Sequence, residues 1–172
     1  MNTDKFIFGL LIIIYCITAA TAIGKASDAR LSEVAEQGAK VMPFDLERTL
    51  HFFNKTKDGG VQQVIAKQVE DKSQVDLIRS HLRKIAHDFS LANFSDPEKI
   101  HGMDMPGLSA LRNAKTNAIS IQYRELSDGA EITYKTDNPE LISAIHQWFD
   151  AQLRDHGRHA TMNHSHHKMH TQ

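Results

Sequence analysis

The chain has 172 residues, with Lys plus Arg at 20 and Asp plus Glu at 21, for a formal charge of −1. Balanced charge without a basic stripe or interleaved aromatic residues gives nucleic acid no electrostatic footprint to bind. A single cysteine leaves almost no scope for thiolate or disulfide chemistry, whereas eleven histidines supply imidazole in excess.

The N-terminus reads as an export signal. Lys5 precedes an apolar run from Phe6 to Thr18, which is short of the ~20 residues that span a bilayer but has the length of a signal-peptide core. Ala20-Thr21-Ala22 is a small-x-small cleavage pattern, so residues 1–22 are expected to be removed on export to a periplasm. An uncleaved segment would be the chain's one membrane attachment. Cys16 lies inside the run behind the bulky Tyr15, which disfavours lipidation and leaves the chain from Ile23 without cysteine. Residues 23–41 are small and polar, with Leu31, Val34 and Ala35 forming a weak amphipathic turn, and are predicted to be a linker.

The folded domain is expected over residues 42–157. Its organising feature is an Asp-Gly pair that occurs twice, at Asp58-Gly59 and Asp128-Gly129, each between two extended runs. Asp-Gly in that setting is a strong hairpin signal. The first hairpin predicts strands over 48–55 and 61–69, the second over 118–126 and from 130 to about 135. Aligning the two pairs puts His51 where the second copy has Ile121. A helix is predicted after each hairpin. Val75, Ile78, Leu82, Ile85 and Phe89 recur at spacings of three and four, behind Asp71 or Ser73 as cap. Leu141, Ile145, Trp148, Phe149 and Leu153 do the same behind Asp137-Asn138-Pro139, with Gly157 as the stop. Residues 91–115 contain Pro97, Gly102, Pro106 and Gly107 and read as a long loop with one helical turn near Leu108. Residues 158–172 carry no apolar periodicity and are expected to be disordered without a ligand. The fold class is therefore α+β: two ββα repeats, a four-stranded antiparallel sheet and two helices on one face.

Several stretches resemble a group of small uncharacterised bacterial proteins. They are Met42-Pro43-Phe44-Asp45-Leu46-Glu47-Arg48-Thr49, Asp58-Gly59-Gly60-Val61, Phe94-Ser95-Asp96-Pro97, Ile100-His101-Gly102, Met105-Pro106-Gly107-Leu108, and Trp148-Phe149-Asp150-Ala151-Gln152-Leu153 with Asp155-His156-Gly157. The resemblance covers about Met42 to His159 and implies one coherent folded unit. Some members carry an aspartate carbamoyltransferase name. The catalytic chain of that enzyme is a longer two-domain protein with a Ser-Thr-Arg-Thr phosphate-binding motif, which this sequence lacks.

Three groups of residues could carry chemistry. The C-terminal tract holds His156, His159, Met162, His164, His166, His167, Met169 and His170. Imidazoles bind Cu(II), Ni(II) or Zn(II), and interspersed thioethers favour Cu(I). The loop His101-Gly102-Met103-Asp104-Met105 offers an imidazole and two thioethers that could converge on a soft ion. Met105 or Met103 could equally plug the loop against the core. Within the domain, His51 on a core-facing strand position could meet His81, His146, His101 or His156, with Asp45, Asp104 or Asp155 as outer partners. Such a set would hold a transition metal or, less readily, haem. Each histidine could also be a hydrogen-bonded core residue. No Gly-x-Ser-x-Gly, His-Glu-x-x-His or phosphate loop is present.

These features lead to an expectation of an exported metal-binding protein, copper first with zinc and nickel as alternatives, serving storage, delivery or resistance, with a possible periplasmic protein partner. A small enzyme using a pocket of Arg48, His51, His101 and Arg112 is the second expectation. An interaction module with an exposed apolar patch around Phe52 is the third.

Overall fold

The computed structural model describes residues 26–162. The signal segment, Cys16, His164, His166, His167, Met169 and His170 lie outside the described residues.

Both hairpins form. β1 (Thr49–Thr56) pairs antiparallel with β2 (Gly59–Ala66), and β3 (Ser120–Glu125) with β4 (Gly129–Lys135). The tight turns use the residues before each glycine: Lys57-Asp58 link Thr56 to its register partner Gly59, and Leu126 N–H donates to the Gly129 carbonyl around Ser127-Asp128. Each glycine instead opens the returning strand, and the reason is the seam between repeats. β2 pairs antiparallel with β4. A Cβ on Gly59 would lie 2.2 Å from the Tyr134 carbonyl oxygen, and one on Gly129 would lie 2.0 Å from that of Val64. The two glycines thus guard opposite ends of one strand pairing, which explains why glycine recurs at both positions. Gly129→Ala is expected to cost about 3 kcal/mol by prising the seam open. Urea unfolding would show a lowered midpoint at unchanged slope, and a midpoint equal to that of the parent would mean the seam yields.

The sheet is larger and less uniform than predicted. It has five strands in the order β3-β4-β2-β1-β5, and β5 (Ala160–Thr161) runs parallel to β1 with His51 opposite Ala160. The four-stranded antiparallel expectation is corrected to a mixed sheet. The start of the expected disordered tail is also corrected: a 3-10 turn at Gly157–His159 leads straight into β5. Two residues of strand have no readable alternation; only the backbone groups on the free edge of β1 define them.

α2 (Lys72–Ser90), capped by the Asp71 side chain, and α5 (Pro139–His156), capped by Asn138, cover one face of the sheet. Tyr134 of β4 packs edge-on against Trp148 and Phe149 of α5 and meets Phe89 of α2 on the same side. Arg79 donates to the carbonyls of Leu126 and Gly129 and so clamps the second hairpin to α2. The predicted long loop contains α3 (Ser95–His101) and α4 (Leu108–Arg112), with Ile100, Leu108 and Leu111 buried in the core.

Residues 23–41 do not form a linker where they are described. α1 (Asp28–Val41) is a full helix, N-capped by Ser27, with Val34 only 1% exposed, and it packs on α3 and α5. Its buried face is narrow because Gly38 lets the Met42 methyl approach to where a Cβ would be 2.6 Å away. Small residues at a close contact leave little hydrophobic signal in the sequence. Phe52 is buried, at 9% exposure, so the exposed apolar patch expected there is absent. Among the described residues, no helix is long and apolar enough to cross a membrane.

Candidate functional site

Three histidines from distant parts of the chain meet beneath the sheet. His51 is on the core face of β1, His101 ends α3 and His156 ends α5; they are 3%, 6% and 7% exposed. Each placement has a local cause. Strand alternation turns His51 inward with Phe53. α3 stops at Gly102, whose positive φ of 87° turns the chain away and leaves His101 facing inward. α5 carries Trp148, Gln152 and His156 at successive four-residue steps on one buried face.

The His51 and His156 rings stand 5.1 Å apart between centroids, and the His101 and His156 rings are also 5.1 Å apart. Two imidazoles on one trigonal or tetrahedral ion have centroids about 5 Å apart, given a metal–nitrogen distance near 2 Å. The three rings line a cavity of about 40 Å3, together with His81, Gln62, Gln152, Trp148 and Met42. His81 reaches the cavity from the flank of α2 and packs edge-on against Phe44, which also contacts His51.

His101 is oriented by a carboxylate. Its Nδ1 lies 3.0 Å from Asp155 Oδ2, which also accepts from Arg30 Nη2 at 2.8 Å, while Arg154 Nε donates to Oδ1 at 3.0 Å. Arg30 also donates to the His101 carbonyl at 2.7 Å. An ionised carboxylate can only accept, so His101 Nδ1 carries a proton and a neutral ring would present its lone pair at Nε2. Burial alone would raise the Asp155 carboxyl, but the hydrogen bonds from His101 and Arg30 overcome it and hold the group well below the usual carboxylate range.

The other rings are held uncharged. Burial, with repulsion from His159, His81 and His101, pushes His51 down to about 3. Burial pushes His81 down to about 4. His156 falls well below its ordinary value, through burial and then its proximity to His51 and His101. Neutral imidazole is the form that ligates a metal. Several polar atoms around the cavity lack a protein partner: His51 Nε2, Trp148 Nε1 and Gln152 Oε1 are buried and unbonded.

The other expected site residues fall elsewhere. His146 Nε2 donates to the carbonyls of Thr56 and Gly59, both at 2.9 Å, and fastens the first hairpin to α5. Met103 is 66% exposed while Met105 is 5% exposed and lies in the core, so the loop thioethers do not converge with His101. A short helix that ends at His101 sends the next residues in divergent directions, which corrects the loop-site expectation. Met162 is exposed. His159 lies outside the cluster, with Nε2 3.3 Å from Glu47 Oε1, in an outer cleft whose wall also includes His156. Asp45 and Asp104 are exposed, so Asp155 is the carboxylate partner among the three proposed from the sequence. Arg48 pairs with Asp71 and Arg112 with Glu98, so the four-residue enzyme pocket does not assemble.

Sequence reading missed Arg30, which lies in the supposed linker, and Met42, which supplies the one thioether at the cavity. It placed Trp148 in the core only, and Gln152 gave no signal beyond its position one turn before His156.

No family model, curated protein or solved structure matches this chain. Among the described residues, no three His, Cys, Asp or Glu side chains form a ready ligand set for a metal ion. His156 stands at ligating spacing from both His51 and His101, and the three rings as oriented do not form a ligand set. Rotation about the terminal imidazole torsion, which has a broad minimum, is the movement that would turn them. A space of about 40 Å3 suits an ion and its small ligands and is far below the volume of a haem pocket.

Proposed function

We propose that this chain is an exported metal-binding protein that takes one late transition-metal ion, copper first, on His51, His101 and His156. The observation that supports this most directly is the buried His156 ring standing 5.1 Å from both His51 and His101, with His101 oriented by a buried carboxylate. Burying imidazoles with unmet hydrogen-bonding capacity costs stability, and a polar core that serves only packing has no need of it. A carboxylate behind a histidine fixes its tautomer and raises its basicity toward a metal. Imidazole accepts zinc, nickel and copper alike; Met42 at the cavity and the thioethers of the C-terminal tract favour copper. The His-rich tract is then a second, low-affinity donor that gathers ions for storage or delivery.

The chain has a single tryptophan, Trp148, and it lines the cavity. Copper titration can therefore be followed by its emission. The test uses the chain from Ile23 with His164, His166, His167 and His170 changed to alanine. Quenching that saturates at one equivalent is expected, and the added pair His51→Ala and His156→Ala should weaken binding by at least about a hundredfold. Absent quenching, or equal affinity in the paired variant, would sink the reading.

A further inference from the structure

Trp148 and Gln152 are buried residues of α5, at 1% and 5% exposure. Both are on the α5 stripe that ends in His156, at i, i+4 and i+8, and all three line the same cavity. Trp148 Nε1, Gln152 Oε1 and His51 Nε2 are buried without a hydrogen-bond partner. A metal ion would satisfy His51 but cannot satisfy the indole, which is a donor only. Trp148 needs an acceptor atom, and a cation is not one. The Gln152 amide, one helical turn nearer His156, offers a donor or an acceptor according to its rotation. Unbonded buried polar groups are uncommon in folded proteins, and three lining one cavity are groups an occupant could satisfy.

We infer that the cavity also holds a small exchangeable ligand of the water, hydroxide or triatomic-anion class, seated on Gln152 between the imidazoles and the Trp148 N–H. The volume is consistent with this: about 40 Å3 is available, and one water takes ~10–15 Å3 on the same measure. The rest of the lining is mostly aromatic and aliphatic, including Phe53, Phe89 and Leu82, with Gln62, His81 and Asp96 as its other polar members, and the volume limits the occupant to a few atoms. The inference rests on the metal reading and deepens it. A metal held by imidazoles with an exogenous ligand is an open centre, able to exchange ligands or release its ion. A closed site of protein ligands alone serves structure.

Azide tests it. The tail-substituted chain described above is loaded with one equivalent of Cu(II), and copper content is measured in every sample. Azide is then added, and a ligand-to-metal charge-transfer absorption is expected to grow and saturate. Gln152→Leu should weaken azide at least about tenfold at equal copper content, because it removes one hydrogen bond to the bound anion. Trp148→Phe provides an independent arm with the same expected direction, and circular dichroism confirms that each variant is folded. A copper-loaded protein with no saturable azide band overturns the inference while leaving the metal reading intact. So does azide affinity unchanged in both variants. A chain that takes no copper overturns both.

Discussion

Acid should unfold the metal-free protein in the range where ordinary histidines become protonated. His51, His81 and His156 have ordinary imidazole pKa values near 6.5 when the chain is unfolded, and in the fold they are pushed to about 3, to about 4, and well below 6.5. All three shifts are downward. Between pH 6.5 and about 4 the unfolded chain therefore binds up to three protons that the folded chain refuses. Stability rises with pH wherever the unfolded state binds more protons, so this contribution is fully present above pH 6.5 and is lost as pH falls. Each group contributes a slope approaching ~1.4 kcal/mol per pH unit, so three together approach ~4 kcal/mol per unit. Over two units the loss approaches ~8 kcal/mol, comparable with the ~5–15 kcal/mol stability typical of a domain. Urea unfolding at pH 7, 6 and 5, followed by Trp148 emission, measures the slope directly. Two to three protons taken up on unfolding is the expected result, and a slope below one proton would mean that the rings are already charged in the fold. His81→Leu should remove about one proton from the slope. Asp155 adds a further loss at lower pH, because its carboxyl is depressed in the fold and its contribution disappears as it becomes protonated.

Asp155→Ala is expected to destabilise the protein by about 3 kcal/mol, among the largest effects of any single substitution outside the apolar core. The carboxylate is 1% exposed and accepts from His101, Arg30 and Arg154. Its removal leaves the His101 Nδ1 proton buried without a partner and the Arg30 guanidinium without its anion, and it frees α1 from the end of α5. Breaking one side of a buried pair costs far more than the pair contributes, because the stranded group keeps its desolvation cost. Asp155→Asn separates shape from charge. It keeps the volume and one acceptor, so most of the stability should return. Copper affinity should still fall by about tenfold to a hundredfold, because an amide does not hold the His101 tautomer or raise its basicity as a carboxylate does. A purely structural Asp155 would show affinity following stability across both variants. Arg30→Met alone should be milder, since Arg30 is 30% exposed and water reaches it. The double variant with Asp155→Ala should show clear non-additivity, because both residues act on His101 through one network.

His51, His101 and His156 were each legible as candidates, for different reasons. His51 stood out because the aligned repeat has Ile121 in its place. That comparison also shows what the sequence could not supply. His51 is buried because β5 pairs beside β1 and α5 packs over it, while the equivalent Ile121 on the opposite flank is only partly buried. His146 looked as suitable as His156, since both follow an apolar stripe on the same helix. A helix turns 100° per residue, and only the placement of the sheet decides which of two flanks faces the cavity and which faces the hairpin turn.

The sequence by itself determined what depends on neighbours within a few residues. The 3-and-4 spacing of α2, the Asn138-Pro139 start of α5 and both hairpins follow from local hydrogen bonding, turn preference and side-chain periodicity, and all are present. Only the tertiary structure decided what depends on separations of fifty residues or more. α1 is a helix against α3 and α5 and not a linker, because packing at Val34 and Gly38 and the Arg30–Asp155 pair outweigh a weak local pattern. β5 exists because β1 offers it an edge. The imidazole cluster exists because a strand and two helix ends, none adjacent in sequence, converge on one cavity. Local interactions are written in short spacings, whereas convergence is the sum of many packing choices and leaves no spacing to read.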